Sequence, residues 1–196
     1  MMGYIAMIIN ISNRQRASLV GVLILVAYSM LTYTITKNVA MGVVMDIISG
    51  FSVIGVPILM FPIFNTYESK SINYAYMACR FIEGILMMIG GALILIPALN
   101  GYRDIIYQSV HIYFFIIGAF LFYILLYRIQ IIPRFISIWG IVATLLLLII
   151  TLIKLFGVNL IVLNALLIPM ILNEIVLAVW LITKGFKQKI HRKNIV

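Results

Sequence analysis

The chain has 196 residues, of which 65% are hydrophobic and 10% charged, with a mean hydropathy of +1.21 and a net charge of +9. A soluble domain is roughly 45–50% apolar and about 25% charged, so this composition excludes the soluble globular class and leaves the membrane class. A single cysteine excludes an internal disulfide framework and a multi-cysteine metal site.

Residues 1–16 read as a lead-in. They are apolar but short, with no leading charge and no small-residue cleavage site of the kind a signal peptide carries. Six apolar runs follow, at 17–35, 43–66, 75–99, 105–127, 135–156 and 160–183. A hydrocarbon core of about 30 Å needs roughly 20 helical residues, and these runs meet that length. They are too long for strands and lack the short-period alternation of a barrel. Backbone groups in lipid must be satisfied internally, so helices are expected.

The second run carries Asp46 near one end, and Pro57 and Pro62 inside it. A proline in a helix removes a donor and bends the chain. The third run carries Arg80 and Glu83, the small residues Gly84, Gly90 and Gly91, and Cys79. Small residues let membrane helices approach closely, and a hinge at Gly90–Gly91 is the alternative reading. Cys79 reads as a buried packing residue.

Arg103 and Asp104 precede the fourth run, and His111 lies inside it. With Asp46 and Lys154 they form a secondary polar set near the outer face, which snorkelling to the interface explains. Asp46 and His111 are its candidate site residues. One His and one Asp do not make a zinc set, so no metal is expected. Tyr102, Tyr107, Tyr123, Tyr127 and Trp139 read as interfacial belts at helix ends.

The segment "IIPRF" reads as a tight, charged turn. Pro133 suits a first helical turn, and Arg134 with Arg128 marks the surface. In the last run, Pro169 is expected to kink the helix five residues before Glu174, with Asn164 and Asn173 adding polarity and Asn173 pointing away from Glu174. Residues 187–196 form a basic tail whose partner is anionic lipid headgroups; nucleic acid is not expected, and a protein partner or homo-oligomer is left open.

Six spans put both termini on one side. That side carries Arg14, Arg16, Lys70, Arg128, Arg134, Lys184, Lys187, Lys189, Arg192 and Lys193; the other carries Lys37, Arg103 and Lys154. The bias predicts cytoplasmic termini in a multi-pass protein of the cytoplasmic membrane. The fold class expected is all-α: a polytopic bundle of six transmembrane helices, with one domain over 17–186.

Arg80 and Glu83 are three apart and share a helix face. Glu83 lies on the order of 12 Å inside the cytoplasmic end of its run, and Glu174 on the order of 13 Å inside the end of the last, at 1.5 Å per residue. Charges in a membrane face the bundle interior and pair. Arg80, Glu83 and Glu174 are therefore expected to meet as a three-charge cluster, the candidate ligand or ion site. The competing reading is a purely structural cluster that fixes helix register.

The chain has no GxxxxGK[ST], no GxSxG and no HExxH, so no catalytic residues and no cofactor are expected. Three stretches carry a resemblance: "YAYMACRFIEGILMMIGG", "LFYILLYRIQIIPRFISIWG" and "PMILNEIVLAVWLITKGF". In order and spacing they resemble the signatures of the bacterial integral-membrane family called Domain of Unknown Function 4386, over roughly 12–186. One departure is Ile129, where that family often has a small hydroxyl residue. The resemblance implies a multi-span membrane protein and no established activity. By position it carries over Arg80, Glu83, Pro133, Arg134, Gly140, Pro169, Glu174, Trp180, Lys184, Gly185 and Phe186. The functional expectation is a small transport or ligand-binding protein. The alternatives are a non-transporting membrane partner, an immunity or accessory protein, or a lipid-modifying enzyme.

Overall fold

The computed structural model describes residues 11–67, 70–157, 165 and 167–187. Its described residues form six helical rods: α1 (Asn13–Thr36), α2 (Val39–Tyr67), α3 (Lys70–Ile94), α4 (Asn100–Ile129), α5 (Arg134–Leu155) and α6 (Ile168–Thr183). The first five are long and apolar enough to cross a membrane. The protein is a multi-pass membrane helix bundle. Large apolar side chains on the outside agree with a lipid surround: Phe51 is 63% exposed, Leu95 61% and Phe135 59%. A water-facing surface would not tolerate so wide an apolar belt.

Sequence sets the ends of the rods. α1 opens with a capping box: the Ser12 hydroxyl accepts from the Gln15 amide, and the Gln15 side chain accepts from the Ser12 amide. α1 and α4 close on Lys37 and Gln130 in the left-handed conformation. α5 starts after Pro133, which needs no donor there. Most of the residues before Pro169, where the predicted kink would show, lie outside the described residues. The described α6 begins at Ile168, so Pro169 stands in its first turn, where its missing N–H leaves no bond unmade. Residues 160–164 of the predicted last span, Asn164 among them, lie outside the described residues, as does the tail from 188.

Each rod packs on the next in chain order, and α6 returns to α1, so the helices make a closed ring. In α3 the buried positions are Asn73, Tyr76, Arg80, Glu83, Gly84, Met87, Gly90, Gly91 and Ile94. That spacing of three and four is one continuous stripe, and Arg80 and Glu83 lie on it. The α2–α3 crossing is set by two glycines. A Cβ on Gly50 would stand 2.6 Å from the Gly84 carbonyl, and one on Gly84 would stand 2.7 Å from the Gly50 carbonyl. Only a residue without a side chain allows that approach.

At the end of the ring where α1 starts and α6 stops, the core is aromatic: Phe64, Tyr76 and Phe122 meet with ring centroids 5.3–6.0 Å apart. Tyr123, expected at an interface, is only 1% exposed and belongs to this core; Tyr102 and Tyr127 are exposed as expected. Arg128 and Arg134 are exposed on either side of the "IIPRF" turn, as expected, while Ile131, Ile132 and Pro133 within it are all buried. The Lys187 amide donates to the Ile131 carbonyl at 2.7 Å, tying the chain after α6 to this turn. Arg14 closes the same end by donating to the carbonyls of Ile182 and Thr183, both at 2.8 Å.

Candidate functional site

Half-way along the rods the ring lines a half-open cavity of about 1030 Å³. Its walls are mainly apolar, with Ile24, Val53, Val56, Leu147 and Leu177 among them. Phe122 of the aromatic core also lines it. At the end away from the start of α1 its lining includes exposed Gln108 and Ser109, and Lys154. Arg80, Glu83, Glu174, His111 and Tyr28 are its polar groups at the mid-helix level.

They line one cavity, although the depths counted from the helix ends do not coincide as expected. α3 starts at Lys70, earlier than the predicted span, so Glu83 is about 20 Å from that end and about 16 Å from the other. Glu174 is about 13 Å from the end of α6. The expected cluster resolves into two contacts. Arg80 Nη1 donates to both oxygens of Glu83, at 3.0 and 2.8 Å, within one turn of α3. Glu174 instead accepts from the hydroxyl of Tyr28 on α1 at 2.6 Å. Among the described residues Arg80 and Glu174 form no direct ion pair, although both side chains line the same cavity. The guanidinium of Arg80 lies 5.5 Å over the Phe115 ring and 6.0 Å from that of Tyr76. Its stem fits because Gly118 of α4 presents no side chain; a Cβ there would stand 3.2 Å from Arg80 Cδ.

The secondary set does not snorkel. Arg103 and Asp46 are 2% and 0% exposed, and they form a two-point ion pair: Nε to Oδ2 at 2.6 Å, and Nη2 to Oδ1 at 2.9 Å. Nη2 also donates to the Met30 carbonyl at 2.8 Å. Tyr107 and Tyr33 lie against the guanidinium, at 4.4 and 5.2 Å. The third helix makes room through Gly91, where a Cβ would stand 2.8 Å from Asp46, and Gly90, where it would stand 2.7 Å from Tyr107. These two glycines are packing residues within an unbroken helix. Asp104, by contrast, has an exposed side chain.

His111 also differs from expectation. It is buried, its ring stacks on Tyr107 at 4.8 Å, and its Nε2 lies 3.9 Å from Glu83 Oε1 without a hydrogen-bond partner. Two irregular turns produce this layer. Tyr28–Met30 of α1 is a 3-10 turn, and Tyr107–His111 of α4 is a π turn. Such departures inside long helices recur at functional sites. Here the first brings Tyr28 to Glu174 and the Met30 carbonyl to Arg103; the second stacks Tyr107 on His111.

Sequence reasoning missed Tyr28 and Gly118. Tyr28 had a signal: its hydroxyl sits fifteen residues inside α1, where an interfacial belt does not reach. Gly118 had none, because its role is to leave space for a side chain of another helix. Asn173 points away from Glu174 as expected, donating to the Ile136 carbonyl of α5 at 2.9 Å. Cys79 is half-buried. Among the described residues no group of three or more His, Cys, Asp or Glu side chains is placed to hold a metal ion.

The second half of this architecture contains two of the three quoted motifs. Residues 92–185 match the family described as Domain of unknown function (DUF4386). The resemblance read from the sequence holds over that stretch, which contains the segment around Pro133 and all but the last residue of the one ending at Phe186. The Arg80–Glu83 motif lies just before it. DUF4386 carries no assigned activity in its description. No curated protein and no solved structure matches the chain. In three dimensions the DUF4386 stretch supplies α4, α5 and α6 and so brings His111 and Glu174 to the cavity.

Proposed function

We propose that this membrane protein binds a small amphipathic molecule in the central cavity, as a ligand-binding or transport protein of the cytoplasmic membrane. One observation carries the reading: a cavity of about 1030 Å³, apolar over most of its wall, has charged side chains gathered at one level. Ligand pockets run about 300–1,000 Å³ and combine apolar lining with a few convergent polar groups. Intramembrane charges are costly unless they face such an interior. The lipid-modifying reading has less support, because both oxygens of Glu83 are engaged by Arg80 and leave it poorly suited to act as a base.

The test is equilibrium binding to the purified protein in neutral detergent, using amphipaths with cationic, neutral and anionic heads. At least one should bind. Ile150→Trp, which fills the cavity from α5, should abolish that binding while the thermal midpoint stays close to wild type. Saturable binding that survives the filled cavity, or none to any probe, overturns the reading.

The excess of basic residues at the end holding both termini supports cytoplasmic termini. In a Cys79→Ser background, a cysteine at Lys37 should react with an impermeant thiol reagent in intact cells. A cysteine at Lys187 should react only after permeabilisation. The opposite pattern reverses the orientation.

A further inference from the structure

We infer that the occupant of the cavity is a lipophilic organic cation, held by the carboxylate of Glu174 within an aromatic wall. The inference rests on the cavity reading above and adds the sign of the ligand's charge.

The argument begins with the charges at the mid-helix level. Arg80 Nη1 holds both oxygens of Glu83 at 3.0 and 2.8 Å, so the two charges cancel as a pair, although Arg80 Nε has no partner. Glu174 makes no such contact: Arg80 acts on it through space, but that charge is already balanced by Glu83. Its hydrogen bond comes from a neutral hydroxyl, that of Tyr28, and no ion pair reaches it among the described residues. His111 sits on the Glu83 side of the layer, not against Glu174. Lys154 lies at the far end of the cavity, twenty residues beyond Arg134 on α5. The mid-level of the cavity therefore presents one carboxylate in excess.

The walls add to that sign through Tyr28, Tyr113 and Phe122; Tyr107 and Phe115 line the cavity too, but already lie against Arg103 and Arg80. Aromatic faces carry negative potential and attract cations that have shed water, quaternary and bulky ones included. A small inorganic cation would need several oxygen ligands, and the wall is mostly carbon. An anion at this level would lie near both Glu83 and Glu174, two carboxylates against the single guanidinium of Arg80, and the balance opposes it. A bulky cation with apolar substituents satisfies the aromatic wall, the apolar volume and the lone carboxylate together. Tyr28 then acts as a positioning residue that orients Glu174.

The experiment compares two ions of almost the same shape and opposite charge, tetraphenylphosphonium and tetraphenylborate. Binding is measured on the full-length purified protein in a neutral maltoside detergent, against empty micelles as baseline. The wild type should bind the phosphonium at least about tenfold more tightly than the borate, a difference of about 1.4 kcal/mol. Glu174→Gln, which keeps the size and an acceptor for Tyr28, should weaken phosphonium binding by about tenfold or more. Tyr28→Phe should weaken it less. Equal or preferential binding of the borate overturns the cation assignment and leaves the cavity reading standing. Unchanged phosphonium affinity in a folded Glu174→Gln protein also overturns it. If neither ion binds, both readings fail. Should Glu174→Gln not fold, the wild-type comparison of the two ions still decides the sign.

Discussion

Arg103 of α4 holds Asp46 of α2 through two hydrogen bonds, at 2.6 and 2.9 Å, and reaches the Met30 carbonyl of α1 with the same guanidinium. Three rods meet at one buried side chain. Removing one partner of a buried pair leaves the other charged and unsatisfied, at about 3–5 kcal/mol. Asp46→Asn and Arg103→Leu should each lower the thermal midpoint in detergent markedly. The double variant Asp46→Leu/Arg103→Leu should recover part of that loss, because no uncompensated charge remains. A double variant less stable than both single ones would contradict this account.

The two intramembrane glutamates should separate in stability measurements. Glu83→Gln weakens the one ion pair that Arg80 forms among the described residues, and Arg80 Nε already lacks a partner there. Glu174→Gln replaces an acceptor that is paired with a neutral hydroxyl. Folded yield and thermal midpoint should therefore fall more for Glu83→Gln than for Glu174→Gln. The reverse order would mean that Glu174, not Glu83, is the counter-charge of Arg80.

Gly84 should tolerate no side chain. A Cβ there would stand 2.6 Å from Ile54 Cγ1 and 2.7 Å from the Gly50 carbonyl, and a backbone atom cannot step aside. Overpacking of this kind costs about 1–3 kcal/mol, and more where backbone must move. Gly84→Val should give a large loss of folded protein by size-exclusion chromatography, whereas Gly101→Ala, with nothing within 4 Å, should match wild type.

Arg14 should have a modest effect that depends on its charge and reach. Its guanidinium donates to the last carbonyls of α6, where a positive group also suits the helix dipole. The contact is exposed, so Arg14→Ala should lower the thermal midpoint by less than Asp46→Asn. Arg14→Lys should retain part of it. An Arg14→Ala loss as large as that of Asp46→Asn would show that the α1–α6 closure depends on this cap.

The rods were legible in the sequence because hydrophobic length is a one-dimensional property. Each predicted run overlaps a described helix, and the errors fall at ends, where caps such as Ser12 and an early start at Lys70 lengthen a rod. The polar residues of the cavity were legible as misfits: Arg80, Glu83 and Glu174 stand out in apolar runs. Their pairing was not. Arg80 and Glu83 are three apart on one helix, so their contact follows from helix geometry. The partner of Glu174 is Tyr28, 146 positions earlier, and nothing local to either residue names the other.

The sequence alone determined that this chain lies in a membrane, that it crosses as helices, and that a few charges inside it need an interior to face. These are consequences of composition and run length, since transfer to lipid depends on what a segment contains and not on its neighbours. Only the tertiary structure decided which side chain each charge meets, that Arg103 and Asp46 are buried rather than snorkelled, and that Glu174 and Arg80 line one cavity without a direct ion pair. The reason is that a partner depends on how each rod is rotated and on where its turns widen or tighten. The 3-10 turn at Tyr28–Met30 and the π turn at Tyr107–His111 set those rotations, and hydropathy carries no record of them.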